Sequence, residues 1–134
     1  MNKLPGIVKV ITRSETILLL DLAIEDHPMS ALLIESPFSE NWIKEGNAVT
    51  VAFKETEVSL MKNFSGKLSL RNLLPCRVTF IDKGVIMGCV HLQFKSYHLV
   101  SAITTRSIET MDLNPGDQVI AMIKANEVSL VKEF

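Results

Sequence analysis

The chain has 134 residues, of which 47% are hydrophobic and 22% are charged, so it has the composition of a globular protein and not of a disordered one. Fourteen Lys and Arg side chains against 15 Asp and Glu give a net charge of −1, which does not favour binding to nucleic acid or to an anionic membrane surface. Residues 16–20 are apolar but far fewer than the roughly 20 of a membrane span. Arg13 and Glu15 interrupt the region where an export signal has its apolar run, so we expect a cytoplasmic protein.

The chain contains an internal repeat with an offset of 70 residues. Residues 46–62 and 116–132 are identical at eight of 17 positions. Ser30-Ala31 then matches Ser101-Ala102 at an offset of 71, which predicts small compensating insertions and deletions. A repeat of this length indicates a duplicated structural unit. We therefore predict a first repeat at residues 1–63, a linker at 64–68 and a second repeat at 69–134.

Each repeat is predicted to contain five short strands and one short helix. In the first repeat the helix ends at Trp42 and Ile43, and a turn follows at residues 44–47. In the second repeat, alternating apolar residues and turn signals place strands at residues 77–81, 85–94, 99–103, 119–124 and 128–131, with a helix at 105–111. This order is typical of a barrel of the oligonucleotide/oligosaccharide-binding (OB) type. The predicted fold is all-β with short helices: two tandem five-stranded OB-like β-barrels, each with one short helix.

The sequence contains neither a nucleophile motif nor a phosphate-binding loop. G-x-S-x-G, G-x-x-x-x-G-K-[ST] and G-x-G-x-x-G are all missing, so we predict a binding protein and not an enzyme. Cys76 and Cys89 are too few for a disulfide framework and are expected to pack as small apolar residues. Cys89 and His91 share one face of a strand and His98 follows, but a fourth ligand is missing, so no metal cation is predicted.

The second repeat carries several groups that suit a small anion. Ser69-Leu70-Arg71-Asn72 precedes its first strand, Thr104 and Ser107 share one face at the start of the helix, and Lys124 ends the fourth strand. Unpaired backbone N–H groups and the two hydroxyls can donate to an anion, and Arg71 and Lys124 can balance a double negative charge. A simpler interpretation stays open, in which Thr104 only caps its helix and Arg71 is a solvated linker charge.

These segments resemble the molybdenum-binding Mop, or TOBE-type, domain family. Ser69-Leu70-Arg71-Asn72 is similar to the Ser-Ala-Arg-Asn signature of that family, residues 101–108 to its strand–helix junction, and residues 114–130 to its closing strands. The resemblance covers the whole second repeat and, more faintly, the first. It is the pattern of the small tandem molbindins, and of the ligand-binding half of molybdate-responsive regulators.

The resemblance implies binding of molybdate, and of tungstate, as an intact dianion for intracellular storage, without catalysis or an organic cofactor. It assigns the ligand to Ser69, Leu70 (through its backbone), Arg71, Thr104, Ser107 and Lys124. In this family the signature of one copy meets the helix-start residues of another copy or subunit, so a homo-oligomer is expected, with a trimer favoured over a dimer.

The first repeat departs from the family pattern. It has no arginine at the signature, and the positions equivalent to Thr104 and Ser107 fall around residues 33–37, where Glu35 adds a negative charge. Only Lys54, which matches Lys124, is retained. We therefore expect sites built wholly from the first repeat to be weak or missing. Two alternatives to storage are a sensor that acts through a partner and, less favoured, an OB-type nucleic-acid-binding module.

Overall fold

The computed structural model describes residues 1–34 and 42–132, and within them the chain forms ten strands, one α-helix and two short 3₁₀ turns. The strands are β1 (Asn2–Ser14), β2 (Ile17–Ile24), β3 (His27–Ile34), β4 (Ala48–Phe53), β5 (Ser59–Met61), β6 (Asn72–Lys83), β7 (Met87–Phe94), β8 (Tyr97–Thr104), β9 (Gln118–Ile123) and β10 (Ser129–Lys132). The helix is α1 (Thr105–Thr110), and the 3₁₀ turns are the first-repeat turn (Glu55–Glu57) and the second-repeat turn (Ala125–Glu127). The predicted all-β fold is confirmed.

The strands form two five-stranded sheets that exchange their fifth strands. One sheet has the order β10-β4-β1-β2-β3, and the other has the order β5-β9-β6-β7-β8. Four consecutive strands of each repeat therefore form one sheet, and the fifth comes from the other repeat. β10 pairs antiparallel with β4, and β5 pairs antiparallel with β9. The predicted boundaries, 1–63 and 69–134, describe the duplication in the sequence. They do not separate the two sheets, because each sheet contains strands from both repeats.

The strand registers correct the predicted change of offset in the middle of the repeat. Ala31 lies opposite Leu20 in the first sheet, and Ser101 lies opposite Val90 in the second. Both pairs differ by 70 residues, so Ala31 is equivalent to Ser101 and not to Ala102. The predicted shift to 71 was wrong because ladder hydrogen bonds along two hairpins of equal length hold the register, whatever the similarity of a Ser-Ala dipeptide.

Alternating side chains of the strands fill the core. On β7, Val90, Leu92 and Phe94 share the buried face that the sequence predicted. The equivalent strand of the first repeat, β2, buries every second residue in the same way. A large aromatic ring lies buried in each repeat, Phe53 on β4 and Phe94 on β7. The core therefore follows the period-two pattern that half-buried strands require.

The predicted helix of the second repeat is confirmed, and its anchoring explains its place after β8. Thr105 donates its backbone N–H to the Ile86 carbonyl at 2.8 Å and its hydroxyl to the Gly84 carbonyl at 2.7 Å. These bonds tie α1 to the β6–β7 hairpin. The first-repeat helix was predicted to end at Trp42 and Ile43, but Trp42 lies in a turn and Ile43 in an irregular segment, and residues 35–41 before them lie outside the described residues. Within the described part of the chain, no helix is long and apolar enough to cross a membrane.

Candidate anion-binding site

The signature segment is fixed to the first sheet by a buried asparagine. Asn72 is fully buried, its Oδ1 accepts the Ser30 N–H at 2.7 Å, and its Nδ2 donates to the Ser30 carbonyl at 2.9 Å. Asn2 forms the equivalent pair with the backbone of Val100, with both distances 2.8 Å. Each asparagine thus satisfies two backbone groups of a strand in the other repeat. Sequence reasoning missed this role, although the recurrence of asparagine at the 70-residue offset was a usable signal.

The structure brings Arg71 and Lys124 together. Asn72 lies opposite Ile123 in the antiparallel ladder of β6 and β9. Arg71 precedes Asn72 and Lys124 follows Ile123, so the two residues lie side by side at the same end of neighbouring strands. Both are exposed. A dianion at this end of the two strands would be attracted by both cations.

Arg71 lines a cavity of about 320 Å³ against the first sheet. Its charged and hydroxyl lining comprises Lys9, Asp21, Asp26 and Ser30 of the first repeat together with Arg71. Asp26 accepts a hydrogen bond from Lys95 Nζ at 2.5 Å, which lowers the pKa of the carboxyl group and keeps it ionised. The cavity therefore contains two cations and two carboxylates. None of the other five predicted ligand residues lines it.

Thr104 and Ser107 form a second group. The Thr104 hydroxyl donates to Ser107 Oγ at 2.9 Å and accepts the Ser107 N–H at 3.1 Å, so Thr104 caps α1 as the simpler interpretation required. Thr104 is exposed and lies opposite Met87 at the end of β8. The cap does not exclude a ligand, because each hydroxyl oxygen and its proton can exchange partners.

The two groups lie at different contacts between the repeats. The second-repeat turn, which Lys124 opens, packs against β3, whose last residue is Ile34. The first-repeat turn, which Lys54 opens, packs against β8, whose last residue is Thr104. Within one chain, Arg71 and Lys124 therefore lie near β3, which ends in Ile34 and has no hydroxyl there. Thr104, at the end of β8, lies near the turn that Lys54 opens.

The remaining signature residues lie where the sequence placed them, before β6. Ser69 is exposed and Leu70 is half-buried.

In the first repeat, the residues equivalent to Arg71 and Thr104 are Met1 and Ile34, which cannot donate a charged or a hydroxyl hydrogen bond through their side chains. The equivalent of Ser107, at residue 37, lies outside the described residues. The predicted degeneracy of the first repeat is consistent with these placements.

Each 3₁₀ turn carries a glutamate close in sequence to the lysine that opens it, Lys54 or Lys124. The side chains of Glu57 and Glu127, one from each 3₁₀ turn, interact with each other. Desolvation and the neighbouring Glu57 carboxyl group raise the pKa of Glu127 above its ordinary value. Among the described residues, no three His, Cys, Asp or Glu side chains are arranged to hold a metal ion.

Comparison with known proteins identifies the second repeat. Residues 68–130 match the model of the TOBE domain. Over 98% of this chain and 96% of the other, the structure is similar, with a TM-score of 0.92 and 25% identity, to a crystal structure of the cytoplasmic molybdate-binding protein ModG with molybdate bound. The predicted resemblance and the tandem OB-like fold are thereby confirmed.

Two curated relatives match part of this chain. The chain is 34% identical over 91 residues to the molybdenum import ATP-binding protein ModC of Brucella abortus, which covers 67% of this chain and 25% of ModC. It is 36% identical over 81 residues to the molybdenum-pterin-binding protein MopA of Rhodobacter capsulatus, which covers 60% of this chain and 31% of MopA. The chain thus spans about a quarter to a third of the length of these relatives.

Proposed function

We propose that this protein binds molybdate, and also tungstate, in the cytoplasm and stores the anion without catalysing a reaction. The observation that carries the proposal is the pairing of Arg71 with Lys124 at one end of β6 and β9, inside a TOBE domain. The similarity to ModG over almost the whole of both chains supports it. A tetrahedral dianion accepts hydrogen bonds only, and the groups proposed to bind it are all donors.

The proposed ligand residues have distinct roles. Arg71 and Lys124 supply charged donors, and Thr104 and Ser107 supply hydroxyl donors. Ser69 and the Leu70 backbone N–H would add donors from the signature. Asn72 has a positioning role, because its bonds to Ser30 hold the signature against the first sheet.

We propose a homo-oligomer, with a trimer favoured over a dimer by the resemblance to the tandem molbindins. The separation of the charged pair from the hydroxyl pair within one chain supports an oligomer, because a second chain could bring the missing groups to the anion. Exposed apolar side chains beside Thr104 support this arrangement, since Val85 is 96% and Ile86 75% exposed on the hairpin loop next to it.

Titration of the anion-stripped protein tests the binding. We expect molybdate to bind and to raise the melting temperature, and sulfate and phosphate at the same concentration to do neither. An absence of molybdate binding at micromolar protein would contradict the proposed function. A pull-down with and without molybdate separates storage from sensing, because recovery of a partner only in the presence of the anion would contradict storage.

Mixing two variants tests the shared site. Arg71→Ala and Ser107→Ala are each expected to bind weakly alone. A refolded mixture of the two is expected to regain sites of wild-type affinity, because some interfaces then join an intact Arg71 to an intact Ser107. Light scattering gives the mass of the assembly. If hetero-oligomers of the two variants form and still bind molybdate as weakly as each variant alone, the site is not shared between chains.

A further inference from the structure

Two histidines on the outer face of the second sheet form a close pair that the anion site does not use. His91 lies on β7 and His98 on β8, and the hairpin between these strands brings the two rings together. His91 Nδ1 is 2.9 Å from His98 Nε2, and the ring centroids are 5.1 Å apart. One ring nitrogen must donate and the other accept, so a single proton bridges two ring nitrogens that are both metal ligands in other proteins.

The surroundings of the pair hold it in place. The ring of Phe80 packs against His91 with a centroid distance of 5.4 Å, so three rings lie in a row across the sheet. Thr79 donates its hydroxyl to the His91 carbonyl at 3.2 Å. His91 is half-buried and His98 is exposed, so solvent reaches the pair. A pair of donors that is already positioned loses less conformational entropy when it binds a ligand.

The chemistry of the two donors indicates the class of metal ion. Neutral imidazole nitrogens bind Cu²⁺, Ni²⁺ and Zn²⁺, and the affinity of a nitrogen site for divalent first-row metals is highest at Cu²⁺. The two nitrogens lie close enough on the hairpin for one ion to reach both rings.

We propose that His91 and His98 form a surface site for Ni²⁺ or Cu²⁺, with His91 Nδ1 and His98 Nε2 as its two protein ligands. The metal replaces the bridging proton, which moves to the outer nitrogen of the ring that donated it, so each ring stays neutral. Water fills the other coordination positions. With two protein ligands the ion exchanges readily, so this is a site for a labile ion and not for a structural one.

Titration of the chelator-treated full chain with Ni²⁺ tests the site. Ni²⁺ is preferred to Cu²⁺ as the probe because Cu²⁺ oxidises free thiols, and Cys76 and Cys89 are both free. We expect about one ion per chain and broadening of the His91 and His98 ring signals in the NMR spectrum. His98→Gln and His91→Gln should each lower the affinity for Ni²⁺ at least tenfold, because one of two ligands is lost.

Two matched variants serve as controls. His27→Gln removes the remaining histidine of the chain, and Cys89→Ser removes the thiol two residues from His91; both should keep wild-type affinity. Circular dichroism of the metal-free variants checks their folding, and His98→Gln decides the matter if His91→Gln fails to fold, because His98 is exposed. Wild-type affinity in His98→Gln, or loss of binding in Cys89→Ser, would overturn the proposal.

Discussion

Replacing Arg71 or Lys124 by alanine removes charge without removing packing. Both side chains are exposed, so truncation leaves no cavity in the core. The stability of the anion-free protein should therefore stay close to that of the wild type. Only the bound state loses an interaction, namely a hydrogen bond between a charged donor and the dianion.

The size of the effect follows from that one bond. A hydrogen bond to a charged group contributes about 1.5–3 kcal/mol, so each variant should bind molybdate about tenfold to 150-fold more weakly. At an anion concentration of about 100 times the wild-type Kd, the stabilisation by ligand is about 2.7 kcal/mol, and it should fall to about 1.4 kcal/mol for a tenfold loss and about 0.4 kcal/mol for a hundredfold loss.

Calorimetric titration gives the affinities, and thermal melts with and without molybdate give the stabilisation. Lys44→Ala is the matched control, because Lys44 is an exposed lysine of the first repeat outside the proposed site. If Arg71→Ala and Lys124→Ala bind molybdate like Lys44→Ala and keep the full rise in melting temperature, the paired cations do not hold the anion. Equal losses in all three would indicate general electrostatic attraction instead.

Three further variants test the framework of the site. Asn72→Ala should lower the free energy of unfolding by about 2–5 kcal/mol in chemical denaturation, because it leaves the buried N–H and C=O of Ser30 without partners; a loss below 1 kcal/mol would contradict that role. Gly88→Ala should lower the free energy of unfolding by about 1–3 kcal/mol, because the added Cβ would lie 2.5 Å from Ile108 Cδ1. A second change, Ile108→Val, removes that atom and should restore part of the lost stability. Glu127→Gln should have a higher melting temperature than the wild type at pH 7 and the same melting temperature at pH 4. Folding raises the pKa of the Glu127 carboxyl group, so the wild-type protein loses stability as the pH rises through that pKa, and the neutral glutamine does not. A melting temperature that falls at pH 7 would refute this sign.

The strands and the core could be predicted because they depend on local patterns. Alternation identified Val90, Leu92 and Phe94 as one buried face, and turn residues separated the strands. The exchange of fifth strands could not be predicted, because alternation tells which face of a strand is buried and not which strand lies beside it. Residues 58–60 and 128–130 both read Val-Ser-Leu, so either segment suits either sheet.

The residue types of the candidate site could be predicted from the sequence. Which of these residues lie near one another could not, because that depends on the order of the strands. A guanidinium and an ammonium group in one repeat indicated a dianion, and the β6–β9 register then placed Arg71 beside Lys124. The separation of this pair from Thr104 and Ser107 depends on which turn packs against which edge strand, a long-range contact with no local signal. The His91–His98 pair is similar, since seven residues separate them in sequence and one hairpin joins them.

The exchanged strands also determine how the two repeats can diverge. The first repeat has Met1 and Ile34 at its equivalents of Arg71 and Thr104. It still donates β5 to the second sheet and receives β10 in return. Deleting the first repeat would leave β9 as an unpaired edge and β10 without a partner strand. Each sheet therefore depends on the other repeat for one of its edge strands, whichever ligand groups that repeat carries.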